Sequence, residues 1–328
     1  MSTPHSRVRA AGSALLSAVA LALTLTASAE AKTIPTELRV VDSGGEVLAQ
    51  QTQYTGPVEI KTDPKADCFG PDTGGSGDRV GLTDSNALGL LAHGATADRD
   101  LKPLSVTDAF DFGLGLCGIG KAVSPQTGFW YLKQNHVASQ VGGDQTIVKK
   151  GDEILWFLIE NFEDPVPDEL ALSAPSTADA GEEITVKVVS YGDDGKVKPA
   201  KGATVTGAAE ETDAKGLTTV TLDEPLTSLS ATLEGAIPSN EEVICTAAAK
   251  QCPAGYAKTI GGTKGGDKIV GGKDAETIIA GGGDDKIDAS RGGNPDAISC
   301  GAGKDVVTLG KKQRNTKTAA SCERIVRS

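Results

Sequence analysis

With 328 residues, of which 38% are apolar, 4% aromatic and 23% charged, the chain is neither disordered nor organised around one aromatic-rich enzyme core. The length predicts two or three domains, and 41 glycines beside only 2 Trp, 4 Tyr and 6 Phe predict many turns and thin layers. A net charge of −12 argues against a nucleic-acid partner, because phosphate contacts need a basic surface.

At the amino end, Arg7 and Arg9 precede an apolar run from Ala10 to Ala27 that closes on two overlapping A-x-A sites, Ala27-Ser28-Ala29 and Ala29-Glu30-Ala31. This pattern predicts a secretory signal peptide over residues 1–31. No later apolar run reaches the roughly 20 residues of a membrane helix, so no transmembrane span is expected after cleavage. All six cysteines lie beyond the cleavage sites, and in an oxidising compartment they are expected to pair as disulfides.

Residues 32–165 contain ten of the twelve aromatics, from Tyr54 to Phe162, and should build the one bulky core. Short alternating runs such as Leu38/Val40, Val58/Ile60 and Trp130/Leu132 predict half-buried strands. One helix is predicted over 86–93, capped by Thr83 or Asp84 and ended by Gly94, so an α+β sheet layer is expected. The segments 128–136 (GFWYLKQNH), Gly142 and 150–156 (KGDEILW) resemble the terminal hairpin of transcobalamin C-terminal-like β-grasp domains of bacterial secreted proteins. That resemblance implies a β-grasp fold and a role in surface display or in binding a small, corrinoid-like ligand.

Over residues 166–242 aromatics nearly vanish, and 184–188 (ITVKV), 203–206 (ATVT), 217–222 and 229–233 (LSATL) alternate with period two. Turn signals at Gly192-Asp-Asp-Gly195, Lys201-Gly202 and Asp213-Ala-Lys-Gly216 separate them, which predicts a small β-sandwich. The segment 212–220 (TDAKGLTTV) is similar to bacterial immunoglobulin-like spacer domains. Residues 243–260, with Cys245 and Cys252, are expected to be a disulfide-bearing linker.

From 261 to 309 the chain repeats. Asp267, Glu276, Asp285, Asp296 and Asp305 follow one another at intervals of 9, 9, 11 and 9 residues, and each is followed two positions later by Ile269, Ile278, Ile287, Ile298 or Val307. Glycines crowd the residues before each acid. The acid offers a hard anionic oxygen, glycine permits a positive-φ turn that brings carbonyl oxygens close, and the aliphatic side chain fills a core too narrow for aromatics. The pattern resembles the RTX nonapeptide, whose turns stack into a parallel β-roll that binds Ca²⁺.

By that resemblance each nonapeptide is half a coil. Asp267, Asp285 and Asp305, with Gly265, Gly283 and Gly303, fall in one column of calcium ligands, and Glu276 and Asp296 fall in a second. Asp274 and Asn294 stand where the family has glycine, Glu276 replaces Asp, and Ser290-Arg291 falls near a two-residue insertion. One to three bound ions are expected, with Asp267 and Asp285 the first ligands.

Residues 310–328 form a basic tail, with six Lys or Arg against one Glu, read as a solvated cap or as an attachment to anionic cell-wall polymers. Six cysteines allow fifteen pairings, and grouping by domain favours Cys68 with Cys117, Cys245 with Cys252, and Cys300 with Cys322. Gly113-Leu-Gly-Leu-Cys-Gly118 matches GxGxxG but no helix pattern follows it. His93 and His136 belong to no metal-ligand pair, and Cys117 with His136 carries no nucleophile signature.

The expected protein is mainly β: an α+β β-grasp-like domain, an immunoglobulin-like sandwich and a C-terminal parallel β-roll. It is expected to be secreted, calcium-binding and without catalytic activity, with calcium ions, cell-wall polymers or another surface protein as partners.

Overall fold

The computed structural model describes residues 33–328 apart from 176–177, 247–251, 293–295, 312 and 314. The predicted leader over 1–31 and the position Asn294 lie outside the described residues. Among those described, one helix accompanies many strands, so the fold is mainly β.

The first region is a mixed sheet. Ile34–Val41 pairs antiparallel with Val47–Thr55 and parallel with Glu153–Ile159, which in turn pairs antiparallel with Phe129–Gln134. The strand Glu153–Ile159 is apolar almost throughout because both of its faces are covered. Ile154, Trp156 and Leu158 face the helix Ala87–Ala97 and its Leu88 and Leu91, whereas Leu155, Phe157 and Ile159 pack on Ile237 of the second region.

The helix differs from expectation at both ends. Its N-cap is Asn86, whose side-chain oxygen accepts from the Gly89 N–H at 2.7 Å, rather than Thr83 or Asp84. Gly94 lies within the helix instead of ending it: a Cβ there would stand 2.6 Å from Leu38, so this glycine lets the helix approach the sheet. The Gly113–Gly118 match to GxGxxG is part of the strand Gly113–Ile119, paired on both sides, and opens no helix.

In the second region Glu183–Tyr191 pairs with Asp168–Ser173, Val197–Pro199 and Leu217–Thr221. Its alternate residues Ile184, Val186 and Val188 form a core with Leu170, Val220, Leu222 and Leu229. Charged groups join it to the first sheet. The Arg39 guanidinium pairs with the buried Glu169 and donates to the Pro238 carbonyl at 3.0 Å, and the Tyr131 hydroxyl donates to Asp193 at 2.7 Å.

The C-terminal region is a coil that alternates between two parallel sheets. One stacks Lys258–Gly261, Glu276–Ile279, Ala297–Ser299 and Lys317–Thr318; the other stacks Lys268–Val270, Lys286–Ala289, Val306–Leu309 and Arg324–Arg327. Ile269, Ile278, Ile287, Ile298 and Val307 form its buried core, as their nine-residue register requires. Two boundaries shift. Lys258–Gly261 already belongs to the coil, and the basic tail supplies two further strands, so the stack extends past 309.

The coil is not a separate bead. Its first strand pairs parallel with Val47–Thr55, Thr52 opposite Ile260 and Gln53 opposite Gly261, which makes one nine-stranded sheet from the first region into the coil. At the seam the buried Gln53 donates from Nε2 to the carbonyls of Tyr54 and Gly262, each at 2.8 Å, and the Thr33 hydroxyl donates to Asp267 at 2.5 Å. Pairing at this edge also covers backbone groups that an open strand would expose.

Candidate metal site

Each acid of the repeat stands at the entry of a coil strand, and the parallel stacking places equivalent acids above one another. In the first column the Asp267 N–H donates to the Asp285 carboxylate at 2.8 Å, the Asp285 N–H to Asp305 at 2.9 Å, and the Asp305 N–H to Glu323 at 2.9 Å. In the second column the Glu276 N–H donates to Asp296 at 3.1 Å, and the Asp296 N–H donates to the Thr316 hydroxyl at 3.2 Å. The repeat acids therefore stand in two stacks.

Glu323, within the basic tail, is a fourth member of the first column. Its signature was visible: an acid with Ile325 two positions later, 18 residues after Asp305. The absence of turn glycines before it masked the repeat.

Asp267, Asp285, Asp296 and Asp305 are each exposed by 1% or less and Glu276 by 4%. None of the ion pairs of the described residues reaches them. A buried carboxylate without a counterion is costly, so what satisfies each oxygen decides its role. Asp267 is fully committed, since one oxygen accepts from Thr33 and the other from the Thr263 N–H and hydroxyl at 2.7 and 3.0 Å. Asp296 is held by the Glu276 N–H and by the Gln313 side-chain amide at 3.1 Å. By contrast, one oxygen each of Asp285, Asp305 and Glu276 has no hydrogen-bond partner.

Burial, reinforced by the charges of Asp267, Asp305 and Asp284, pushes the Asp285 carboxyl up to about 7. Burial likewise raises Glu276 and Asp296, with Asp296 and Asp274 adding to the effect on Glu276.

The turns stack as closely as the acids. The Gly282 N–H donates to the Thr263 carbonyl at 3.0 Å, the Ala302 N–H to Gly281 at 3.2 Å, and the Gly283 N–H to Ala302 at 2.7 Å. Gly283 and Gly303 both have positive φ, and a Cβ on Gly303 would lie 2.0 Å from the Gly283 carbonyl oxygen. Gly265 sits more loosely, with its nearest prospective neighbour, the Thr263 hydroxyl, 3.8 Å away.

The stacking can be tested at two glycines. At Gly301, with φ of +93°, a Cβ would lie 1.9 Å from the Gly281 carbonyl oxygen, so Gly301→Ala is expected to cost about 3 kcal/mol in urea denaturation. Gly265→Ala should change stability by less than about 0.5 kcal/mol. Equal effects of the two would refute the tight turn stack.

Among the described residues no three His, Cys, Asp or Glu side chains converge to hold a metal. A cation here must take backbone oxygens as well as the two stacked carboxylates, and calcium, with six to eight oxygen ligands including carbonyls, has that chemistry.

The other residues singled out lie elsewhere. Cys68 pairs with Cys117, Cys245 with Cys252 and Cys300 with Cys322, which leaves no thiol at Cys117. His93 is buried on the helix with Nε2 3.3 Å from the Gly56 carbonyl, and burial lowers its pKa. His136 lies at the contact of the first two regions, far in sequence from any coil acid. No helix of the described residues is long and apolar enough to cross a membrane. No family model matches this chain, and no curated protein matches it.

Proposed function

We propose that this is a secreted, non-enzymatic calcium-binding protein whose C-terminal coil takes up Ca²⁺ after export. One observation carries the reading: Asp285 and Asp305 are stacked one coil apart, buried, without a counterion, and each has an oxygen lacking any hydrogen-bond donor. A divalent cation between these turns would supply the missing charge and a partner for both open oxygens. The likeness of the repeat to RTX nonapeptides supports the same ion, and Glu276 offers a second, weaker position through its open oxygen. Three disulfides and the predicted leader support an extracellular location.

Extracellular calcium modules bind at about 10⁻⁴–10⁻³ M. Calorimetric titration of the metal-free protein with CaCl₂ is expected to give a saturable heat in that range. Asp285→Asn with Asp305→Asn should abolish it, and Asp267→Asn should weaken it less because that carboxylate is already hydrogen-bonded. Absence of saturable heat in a folded sample, or an unchanged isotherm in the double variant, rejects the reading.

A further inference from the structure

A cavity of about 530 Å³ opens where the three regions meet, within the size range of small-molecule sites. Its wall carries six carboxylates: Glu37 and Glu153 from the first sheet, Glu169, Glu241 and Glu242 from the second region, and Asp274 from the coil. Arg39 also lines it, but its guanidinium is already consumed by Glu169 and by the carbonyls of Leu170 and Pro238. Lys258 alone is left to set against the remaining acids, beside the ring of His136.

The aromatic residues give a second, independent signal. Tyr191 and Tyr256 are the only aromatics after Phe162 in the whole sequence, and both line this cavity. Tyr191 stacks on His136 with ring centroids 3.8 Å apart and planes 10° from parallel. The second region, whose core contains no aromatic side chain, and the coil, whose core takes only Tyr54 from the first region, thus each present one tyrosine to the same space.

The wall also holds an unfinished pair. Glu169 is 3% exposed, and its Oε2 lies 3.2 Å from His136 Nδ1 but off the hydrogen-bond line, so that neither atom has a hydrogen-bond partner. Burial holds Glu242 above the usual carboxylate range although the charge of Lys258 acts to lower it, and a further positive group would relieve it.

We propose that this cavity is a binding site for a small organic cation bearing amine or guanidinium groups. Carboxylates distributed around the wall suit a ligand with several separated N–H donors, and tyrosine faces attract such cations. A point metal ion is the poorer occupant, since among the described residues no three ligating side chains converge.

The test is isothermal titration of the disulfide-bonded chain, at fixed millimolar calcium, with 1,4-diaminobutane and with agmatine, against 1,4-butanediol as the uncharged isostere. A saturable heat with one site is expected for at least one of the cations and none for the diol. Glu242→Gln and Tyr256→Ala should each weaken binding about tenfold, by loss of a charge-assisted bond or of a ring face. Asp285→Asn should leave it unchanged, which separates this site from the calcium reading. Glu169 is left intact because its loss would strand the Arg39 charge. No saturable heat from either cation, equal binding of the diol, or unaltered affinity in both folded variants overturns the proposal.

Discussion

Stripped of divalent metal, the protein is expected to be more stable near pH 5 than near pH 8, and calcium is expected to narrow that difference. An aspartate of the unfolded chain ionises near pH 4, whereas Asp285 in the fold holds its proton to about 7. Between those values the folded chain binds the extra proton, so stability falls as pH rises through the interval and levels off above it. Asp285 alone is worth on the order of 2–4 kcal/mol across that range, and Glu276 and Asp296 act in the same direction.

Carboxylates with lowered values, such as Asp168 and Asp152, contribute in the opposite sense, but their share is complete once the unfolded acids have ionised, close to pH 5. Buried His93, with its lowered pKa, favours the higher pH and opposes the trend, as one imidazole against four acids, the fourth being Glu242. Calcium binds only the ionised carboxylates, so its binding expels protons and tightens as pH rises. At ten times the dissociation constant each site adds about 1.4 kcal/mol. Thermal melts in EDTA and in millimolar calcium, at both pH values, give the four numbers required. Identical EDTA melts at pH 5 and 8, with no effect of calcium at either, would show that the stacked acids are not strained and do not hold the ion.

Replacing Cys300 and Cys322 together by alanine is expected to cost about 3 kcal/mol, because the bridge closes a loop of 22 residues whose entropy is otherwise regained on unfolding. The location makes the loss specific. Cys300 leaves one strand of the first parallel sheet, and Cys322 enters the last coil just before Glu323 and Arg324–Arg327. That last strand is exposed along its length, and Lys317–Thr318 pairs through only two residues. Without the bridge the terminal coil has little to hold it, and the Asp305 N–H would lose its Glu323 acceptor. Amide exchange over 316–327 should rise by orders of magnitude, while the strand Glu153–Ile159, covered on both faces, keeps its protection. Unchanged exchange in the tail would mean that strand pairing alone secures it.

How much could be read in advance depends on whether the determining contacts are local in sequence. Acids and branched aliphatics nine residues apart announced the coil, and Ile269 through Val307 are buried as that register demands. Alternation announced Glu183–Tyr191, whereas the cover on both faces of Glu153–Ile159 became visible only in the fold. The cap at Asn86 and the packing role of Gly94 depart from expectation, because capping signals recur at several adjacent residues and a glycine can serve close approach as readily as a helix end. Glu323 escaped because the turn before it keeps the acid and the aliphatic but lacks the glycines.

Composition and periodicity by themselves determined a mainly β chain, regions of distinct character and a nine-residue register of acids and aliphatics, since each of these is written in residues close along the chain. Only the tertiary structure decided that the coil joins the first sheet through Thr52 and Gln53, that Asp267 is satisfied while Asp285 and Asp305 are not, and that Tyr191 and Tyr256 line one cavity. Backbone pairing at a sheet edge is nearly indifferent to side-chain identity, and the environment of a buried oxygen is set by neighbours hundreds of residues away, as Thr33 is from Asp267. Neither leaves a periodic trace in the sequence.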